Sequence, residues 1–387
     1  MATLLGSESA VQPGSAALPI LPRPVPAARV AGSRAARPVG LYDQTLPELE
    51  ERLRGLDAPA YRARQVFEWA YRHLAADYAA MTTLPAALRA DLDATLPVTT
   101  LATVRELTAD DGDTIKTLYR TGDGQLVETV LMLYPERATV CVSCQVGCAV
   151  GCAFCATGLG GLTRNLSAGE MVAQVVGAAR RARELGRTLT NIVMMGMGEP
   201  LHNYAATMKM VAILHDPHGL NFGARRITIS TSGVVPRIDA LAAEPYQLNL
   251  AVSLHAPNDV LRDRLVPLNR RYPIGELLAA CRRYGDKTGR RVSFEYALMA
   301  GINDGDEIAE ELAALLRGSG ILCHVNVIPL NPVDVLPYER PDPAGIERFA
   351  GILRAGGIPT TVRYSRGLDI AAACGQLRAR EGDAPSA

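Results

Sequence analysis

The chain has 387 residues, 48% of them hydrophobic and 21% charged, enough for one large domain and a smaller one with a substantial core. Forty basic residues balance forty acidic ones, which excludes a long non-specific nucleic-acid footprint but permits a confined basic patch. No run approaches the roughly 18–20 apolar residues of a membrane span, and no basic start leads into an unbroken apolar stretch. The expectation is a cytoplasmic protein with no membrane association. Nothing points to an obligate partner, so a monomer is expected.

Residues 1–40 hold six prolines, nine alanines and four arginines against one glutamate, without apolar periodicity, and are expected to be a disordered extension. Residues 41–100 read as a small helical accessory domain. Thr45 and Glu48 form a capping box, followed by Leu49, Leu53 and Leu56 at helical spacing. A second helix is predicted from Arg62 to Leu74, carrying Val66, Phe67, Trp69 and Ala70. Beside it, Arg62, Arg64 and Arg72 either contact RNA or form a solvated helix face. Residues 101–137 read as a strand-rich linker with a turn at Thr121-Gly122-Asp123-Gly124.

From residue 138 to 378, strands alternate with helices, and residues 379–387 are expected to be a flexible tail. The predicted strands are Thr139–Ser143, Asn191–Met195, Arg226–Ser230, Leu248–Ser253, Val292–Ala297, Val325–Ile328 and Thr360–Tyr364. One intervening helix opens at the Ser167–Glu170 capping box and another near Asp304 and Glu307. Such alternation predicts an α/β fold with a parallel sheet, open or closed into a barrel. Barrel-like enzymes place their chemistry on loops after the carboxyl ends of the strands.

The eight cysteines are Cys141, Cys144, Cys148, Cys152, Cys155, Cys281, Cys323 and Cys374, five of them within fifteen residues. Clustering of this kind points to metal or redox chemistry rather than a disulfide framework. Cys148, Cys152 and Cys155, at C-x3-C-x2-C spacing, can wrap three corners of an iron–sulfur cubane and leave the fourth iron open. Gly151 gives the loop backbone freedom and Phe154 an apolar cover. Zinc is the rival, held by Cys141 and Cys144 together with Cys152 and Cys155. Cys281 and Cys323 fall in helical and strand-like contexts and are expected in the core.

The C-x3-C-x-F-C loop after a strand resembles the radical SAM signature, whose fold is a partial (β/α)6 barrel. Further motifs narrow the match: Cys141-Val-Ser-Cys-Gln-Val-Gly-Cys148, Thr163-Arg-Asn-Leu166, Met194-Met-Gly-Met-Gly-Glu-Pro200, Ser230-Thr-Ser-Gly233, Ser253-Leu-His-Ala-Pro-Asn258, Ile328-Pro-Leu-Asn-Pro332 and Ala373-Cys-Gly-Gln-Leu377. Over residues 41–378 they resemble the RlmN/Cfr family of RNA adenine methyltransferases.

That resemblance implies a [4Fe–4S] cluster on Cys148, Cys152 and Cys155, S-adenosylmethionine (SAM) as second cofactor, and an external electron donor. It implies SAM contacts from Gly198, Glu199, Ser230, Ser253, Leu254, His255 and Asn331. It further implies that Cys374 carries a methyl group, that Cys141 helps release product from a covalent protein–RNA adduct, and that Glu128 is a general base. A radical route suits adenine C2 and C8, electron-poor carbons that cannot attack SAM as nucleophiles. The expected reaction is methylation of adenine C2 in 23S rRNA and of the tRNA adenosine 3′ to the anticodon. The alternatives are C8 methylation of the same rRNA base and a zinc-stabilised RNA-binding protein; a methylthiotransferase would need cysteines before Cys141. Two positions depart from the family pattern. Cys144 stands where relatives commonly carry serine and is expected to be a packing residue or a solvated spectator, and Ala371 replaces a common aspartate.

Overall fold

The computed structural model describes residues 39–378, so the expected N-terminal extension up to residue 38 and the expected C-terminal tail lie outside the described residues. Helix α1 (Leu46–Arg54) starts at the capping box: the Thr45 amide donates to Glu48 Oε2 at 2.8 Å and the Glu48 amide to Thr45 Oγ1 at 3.5 Å. Leu49 and Leu53 are buried, whereas Leu56 lies past the helix and is exposed. Helix α2 (Tyr61–Tyr71) ends before the expected Leu74, whose φ of +58° no right-handed helix can contain. Helix α3 (Ala86–Thr95), not predicted from the sequence, buries only Leu88 and Leu92 on a single short stripe.

The arginines weighed as RNA contacts serve partly in docking. Arg72 donates to the carbonyls of Pro217 (2.6 Å) and Gly219 (3.4 Å), and Arg62 to Gln65 and to the Thr83 carbonyl.

Strands β1 (Leu101–Thr108), β2 (Thr114–Thr121) and β3 (Leu126–Tyr134) form an antiparallel meander whose β2–β3 turn falls at the expected Thr121–Gly124. This segment is more than a linker. Strand β3 pairs with β4 (Arg137–Cys141), Val130 opposite Cys141, so the meander extends the main sheet and covers the edge that β4 would otherwise expose. After β4 come the small antiparallel pair β5 (Gln145–Gly147) and β6 (Leu162–Asn165), with the cysteine loop between them.

The parallel part follows: helix α4 (Ala168–Glu184), β7 (Leu189–Met194), α5 (Tyr204–His215), β8 (Ile227–Thr231), α6 (Val235–Leu241) and β9 (Asn249–Ser253). Helices α7 (Asp259–Leu265) and α8 (Ile274–Thr288) lead to β10 (Val292–Leu298), α9 (Asp306–Ser319), β11 (Cys323–Pro329), α10 (Pro343–Ala355) and β12 (Thr360–Val362). The sheet order is β1-β2-β3-β4-β7-β8-β9-β10-β11-β12, parallel from β4 onward. All seven strands predicted for residues 138–378 are present, with boundaries displaced by at most two residues. The sheet does not close: β1 and β12 are its two edges, as in a partial barrel.

The gap is bridged by the chain after β12. The Arg363 amide bonds the Val327 carbonyl on β11, while Arg366 reaches Asp113 and the Leu133 carbonyl, and the Asp110 amide donates to Asp369. Lys116 on β2 donates to the Ala371 carbonyl, and the Arg378 amide donates to Glu128 on β3.

Helix α4 joins the N-terminal helices to this frame. Its own capping box is formed (Ser167 amide to Glu170 Oε2, 2.8 Å), and Asp43 accepts from the Gly169 amide at 2.7 Å. About three turns further along, Arg180 donates to the carbonyls of Leu74 (2.7 Å) and Ala75 (2.5 Å) and to Tyr42 Oη (2.8 Å). Arg180→Ala should therefore lower stability by roughly 1–3 kcal/mol in urea unfolding, and limited proteolysis should cut first within residues 39–98.

Candidate active site

The carboxyl ends of the parallel strands surround a cavity of about 170 Å³. Cys148, Cys152 and Cys155 enter from the loop between β5 and β6. Gly198 and Glu199 enter from the loop after β7, Ser230 from β8, Ser253 and His255 from the end of β9, Asn331 from the end of β11, and Cys374 from the C-terminal segment. Ten residues expected at a site from their motifs thus share one cavity. Three do not line it. Leu254 is fully buried and takes part through its backbone, its amide donating to the Glu295 carbonyl. Cys141 is buried at the end of β4. Glu128 is buried on β3, 3.1 Å from Lys116 Nζ and accepting from the Arg378 amide at 2.9 Å. Its carboxylate holds the far end of the C-terminal segment, outside the cavity.

The glycines after β7 let the loop pack closely on the chain beneath it. A Cβ on Gly196 would sit 2.7 Å from Ser143 Oγ and 2.8 Å from the Ser143 amide nitrogen, and one on Gly198 would sit 2.6 Å from Gln145 Cβ and 2.9 Å from Cys144 Sγ. The loop is pressed against the chain that follows β4, with the Cys144 amide donating to the Met197 carbonyl at 2.8 Å. Cys144 is buried and packs under Gly198, in keeping with the packing role expected for it.

Glu199 is held from both sides. Its Oε2 accepts from the Ser232 amide and hydroxyl, each at 2.7 Å, and Oε1 accepts from the Leu201 amide at 3.0 Å. His255 has φ +61°, a costly conformation for a non-glycine residue. Asn303 stabilises it by donating to the His255 carbonyl (2.9 Å), and the Ala297 amide donates to Nδ1 (2.9 Å), which leaves the ring proton on Nε2. Burial lowers the His255 pKa to about 3, with the nearby Arg262 charge adding to the effect. Phe154 of the cysteine loop meets the His255 ring edge-on, centroids 4.8 Å apart.

The residue that ties these strand ends together was not singled out from the sequence. Arg262 on α7 is fully buried and donates to the carbonyls of Ser232 (2.7 Å), Ser253 (3.0 Å) and Leu254 (3.0 Å) and to Asn269 Oδ1 (2.8 Å). Burial lowers its pKa to about 10, so it stays cationic at neutral pH. The same helix supports the cysteine loop, as the Ala153 amide donates to the Leu265 carbonyl at 3.0 Å. Arg262 stands among the charged residues Asp259, Asp263 and Arg264 one turn before Leu265-Val266, an ordinary amphipathic pattern, so nothing local marks it.

An iron–sulfur cluster fits the donors present. Cys148, Cys152 and Cys155 are free thiols facing one cavity, and Gly151 turns the loop at φ +69°. Among the described residues no three His, Cys, Asp or Glu side chains are grouped to hold a single ion; a four-iron cube instead offers each thiolate its own iron. Burial raises the Cys148 pKa to about 12 and that of Cys152 well above the ordinary thiol value, so loading must expel protons. The Cys374 thiol reaches the cavity, yet crowding by protein atoms raises its pKa, an effect that the Arg363 charge opposes. Burial also raises the Cys141 pKa, and the charge of Cys374 adds to the rise.

Two outcomes follow. Arg262→Leu leaves three strand-end carbonyls unpaired at about 1–3 kcal/mol each and should cost at least roughly 3 kcal/mol in chemical denaturation. For His255, the folded pKa lies below the unfolded one, so the unfolded chain takes up a proton that the native state refuses between about pH 6.5 and pH 3. Stability of the cluster-free protein should fall as pH drops through that window, and His255→Gln should flatten this part of the curve in pH-dependent thermal melts.

Residues 39–98 match the family described as the ribosomal RNA large subunit methyltransferase N-terminal domain, and residues 142–313 match the radical SAM superfamily. The "Probable dual-specificity RNA methyltransferase RlmN" of Chloroflexus aurantiacus is 51% identical over 349 residues, covering 88% of this chain and 93% of that protein. The protein of the same name from Geobacillus kaustophilus is 47% identical over 357 residues, 92% of this chain and 97% of its own. A crystal structure of a radical SAM methyltransferase from Sphaerobacter thermophilus is 72% identical, with a TM-score of 0.87 over 89% of this chain and 100% of that one. With this much identity running through both its helical N-terminal part and its barrel, the chain belongs to the RlmN family of radical SAM RNA methyltransferases, which work with a [4Fe–4S] cluster and S-adenosylmethionine.

Proposed function

We propose that this protein methylates C2 of a specific adenine in 23S rRNA and of the tRNA adenosine 3′ to the anticodon, with Cys374 as the methyl carrier. The observation that carries this reading is the position of Cys374, which lines the same cavity as Cys148, Cys152 and Cys155 although more than 200 residues separate it from them. Its loop is held at that cavity. Asn331 Nδ2 donates to the Cys374 carbonyl at 3.0 Å, and the Ala156 amide, next to Cys155, donates to the Gly375 carbonyl at 2.8 Å.

In this reading Cys148, Cys152 and Cys155 hold three irons, and SAM occupies the cavity framed by Gly198, Glu199, Ser230, Ser253, His255 and Asn331, with Leu254 shaping its wall through the backbone. Bound there, cluster and SAM supply a methyl group and a hydrogen-abstracting radical. Glu199 already accepts three protein hydrogen bonds, and its carboxylate keeps one further lone-pair position for the SAM amino group. Arg363 favours the Cys374 thiolate that must take the methyl group. Cys141, buried behind Cys374, serves in product release. Glu128 is the general-base candidate and also anchors the C-terminal segment by accepting from the Arg378 amide. The matched N-terminal helical domain supports the C2 branch over C8. An external donor supplies the electron, and the protein works as a cytoplasmic monomer.

The first test is the mass of the Cys374 peptide after anaerobic reconstitution with iron, sulfide, SAM and reductant. One added methyl group is expected; an unmodified Cys374 in cluster-loaded protein would sink the carrier role. Cys374→Ala should abolish turnover and keep its iron, whereas Cys141→Ala should accumulate a covalent protein–RNA adduct seen on denaturing gels. Digested product should contain 2-methyladenosine, and 8-methyladenosine alone would exclude the C2 reading.

A further inference from the structure

One side chain of the cavity wall carries a buried carboxylate oxygen with no hydrogen-bond partner. Glu295 lies in the middle of β10, opposite Ser253 on β9 and Asn326 on β11, and is 5% exposed. Asn326 Nδ2 donates to its Oε1 at 2.8 Å, while Oε2 makes no hydrogen bond. The nearest cation, Arg363, stands 3.9 Å away, within ion-pair reach but too far for a hydrogen bond. Buried acceptors in folded proteins are paired almost without exception, so an unsatisfied one on a side chain that lines a binding cavity points to a ligand's donor.

The other carboxylates do not offer an equivalent place. Glu199 lines the cavity but is engaged by Leu201 and Ser232, and Glu128 lies outside it with Lys116 and Arg378. Glu295, in contrast, lies on the side of Cys374. Its charge acts on the Cys374 thiol, as does that of Arg363, and both Glu295 and Cys374 line the cavity wall. A second opening of about 660 Å³, lined by Arg290, Arg291 and Arg363, begins on the other side of Glu295, so the side chain marks the deep end of the site.

We infer that Glu295 Oε2 accepts a hydrogen bond from the exocyclic amine of the substrate adenine and thereby selects adenine at this site. The inference rests on the proposed reading that the target base is brought against Cys374. A base so placed brings its amine within the same cavity, and this N–H donor pairs the open oxygen. A purine without the amine would leave a buried carboxylate oxygen unpaired, the situation in which a polar site discriminates most strongly.

The test uses the cluster-loaded full chain and an RNA hairpin carrying the target site, with either adenosine or unsubstituted purine ribonucleoside at the target. The wild-type protein is expected to prefer adenosine by roughly tenfold to a hundredfold in kcat/KM. Glu295→Gln and Glu295→Leu should lose most of that preference, because the rate on adenosine falls towards the rate on purine. SAM binding by calorimetry should be unchanged in Glu295→Gln, and Cys374 should still acquire its methyl group without RNA. An unaltered preference in both variants would overturn the inference. So would loss of SAM binding in Glu295→Gln, since the missing donor would then belong to SAM. Should Glu295→Leu fail to fold, the near-isosteric Gln variant decides alone. A wild-type Cys374 that stays unmethylated would count against the carrier reading, while the adenosine-to-purine ratio would still judge Glu295.

Discussion

An open sheet has edges, and an edge that borders a catalytic cavity must be covered. In this protein the covering segment is also the one that carries Cys374. From β12 the chain crosses to the β2–β3 meander, held by Arg366 to Asp113, Lys116 to the Ala371 carbonyl and the Arg378 amide to Glu128. Between these anchors it is fixed to the cavity by Asn331 and to the cysteine loop by the Ala156 amide and by Thr157, whose hydroxyl donates to the Leu377 carbonyl at 2.6 Å. The meander on the opposite edge is therefore part of the site's support, although it contributes no cavity residue. Ala371 turns at φ +50°, where aspartate or asparagine would be easier than alanine, and the Lys116 contact to its carbonyl helps to hold that turn.

The cavity itself depends on a cation below it. Arg262 binds the carbonyls at the ends of β8 and β9, and Ser232 passes the constraint on to Glu199 through two hydrogen bonds to one oxygen. The site is thereby organised around fixed buried dipoles before any cofactor enters, which is how a protein lowers the reorganisation a reaction requires. The thiols are a counterweight. Burial raises the pKa values of Cys148, Cys152, Cys374 and Cys141, so each becomes a useful thiolate only with a metal or a neighbouring cation such as Arg363.

Short-range chemistry was legible in the sequence. Both capping boxes form as read, the seven parallel strands lie where alternation puts them, and the three clustered cysteines face one cavity. Cys281 and Cys323 are buried, as their contexts suggested. The misses have a common cause. Leu74 and Leu56 continue a helical pattern that local backbone geometry ends, and Arg72 reads as a surface residue until the docking loop at Pro217–Gly219 is seen. Glu295 is a lone charge in an apolar strand, Val-Ser-Phe-Glu-Tyr-Ala-Leu, a signal legible in the sequence, but the pattern does not tell which oxygen is paired.

The sequence by itself determined the periodicities, the caps and the spacing of the cysteines, because each depends on residues within a few positions of one another. It also determined, through its motif resemblance, the family and most of the site residues that proved to share the cavity. Only the tertiary structure decided that Glu128 holds the C-terminal segment, that Arg262 joins the strand ends and that Glu295 keeps one oxygen open. These facts arise from contacts between residues tens to hundreds of positions apart, where burial decides which polar groups must find partners and strand register decides which partners they find.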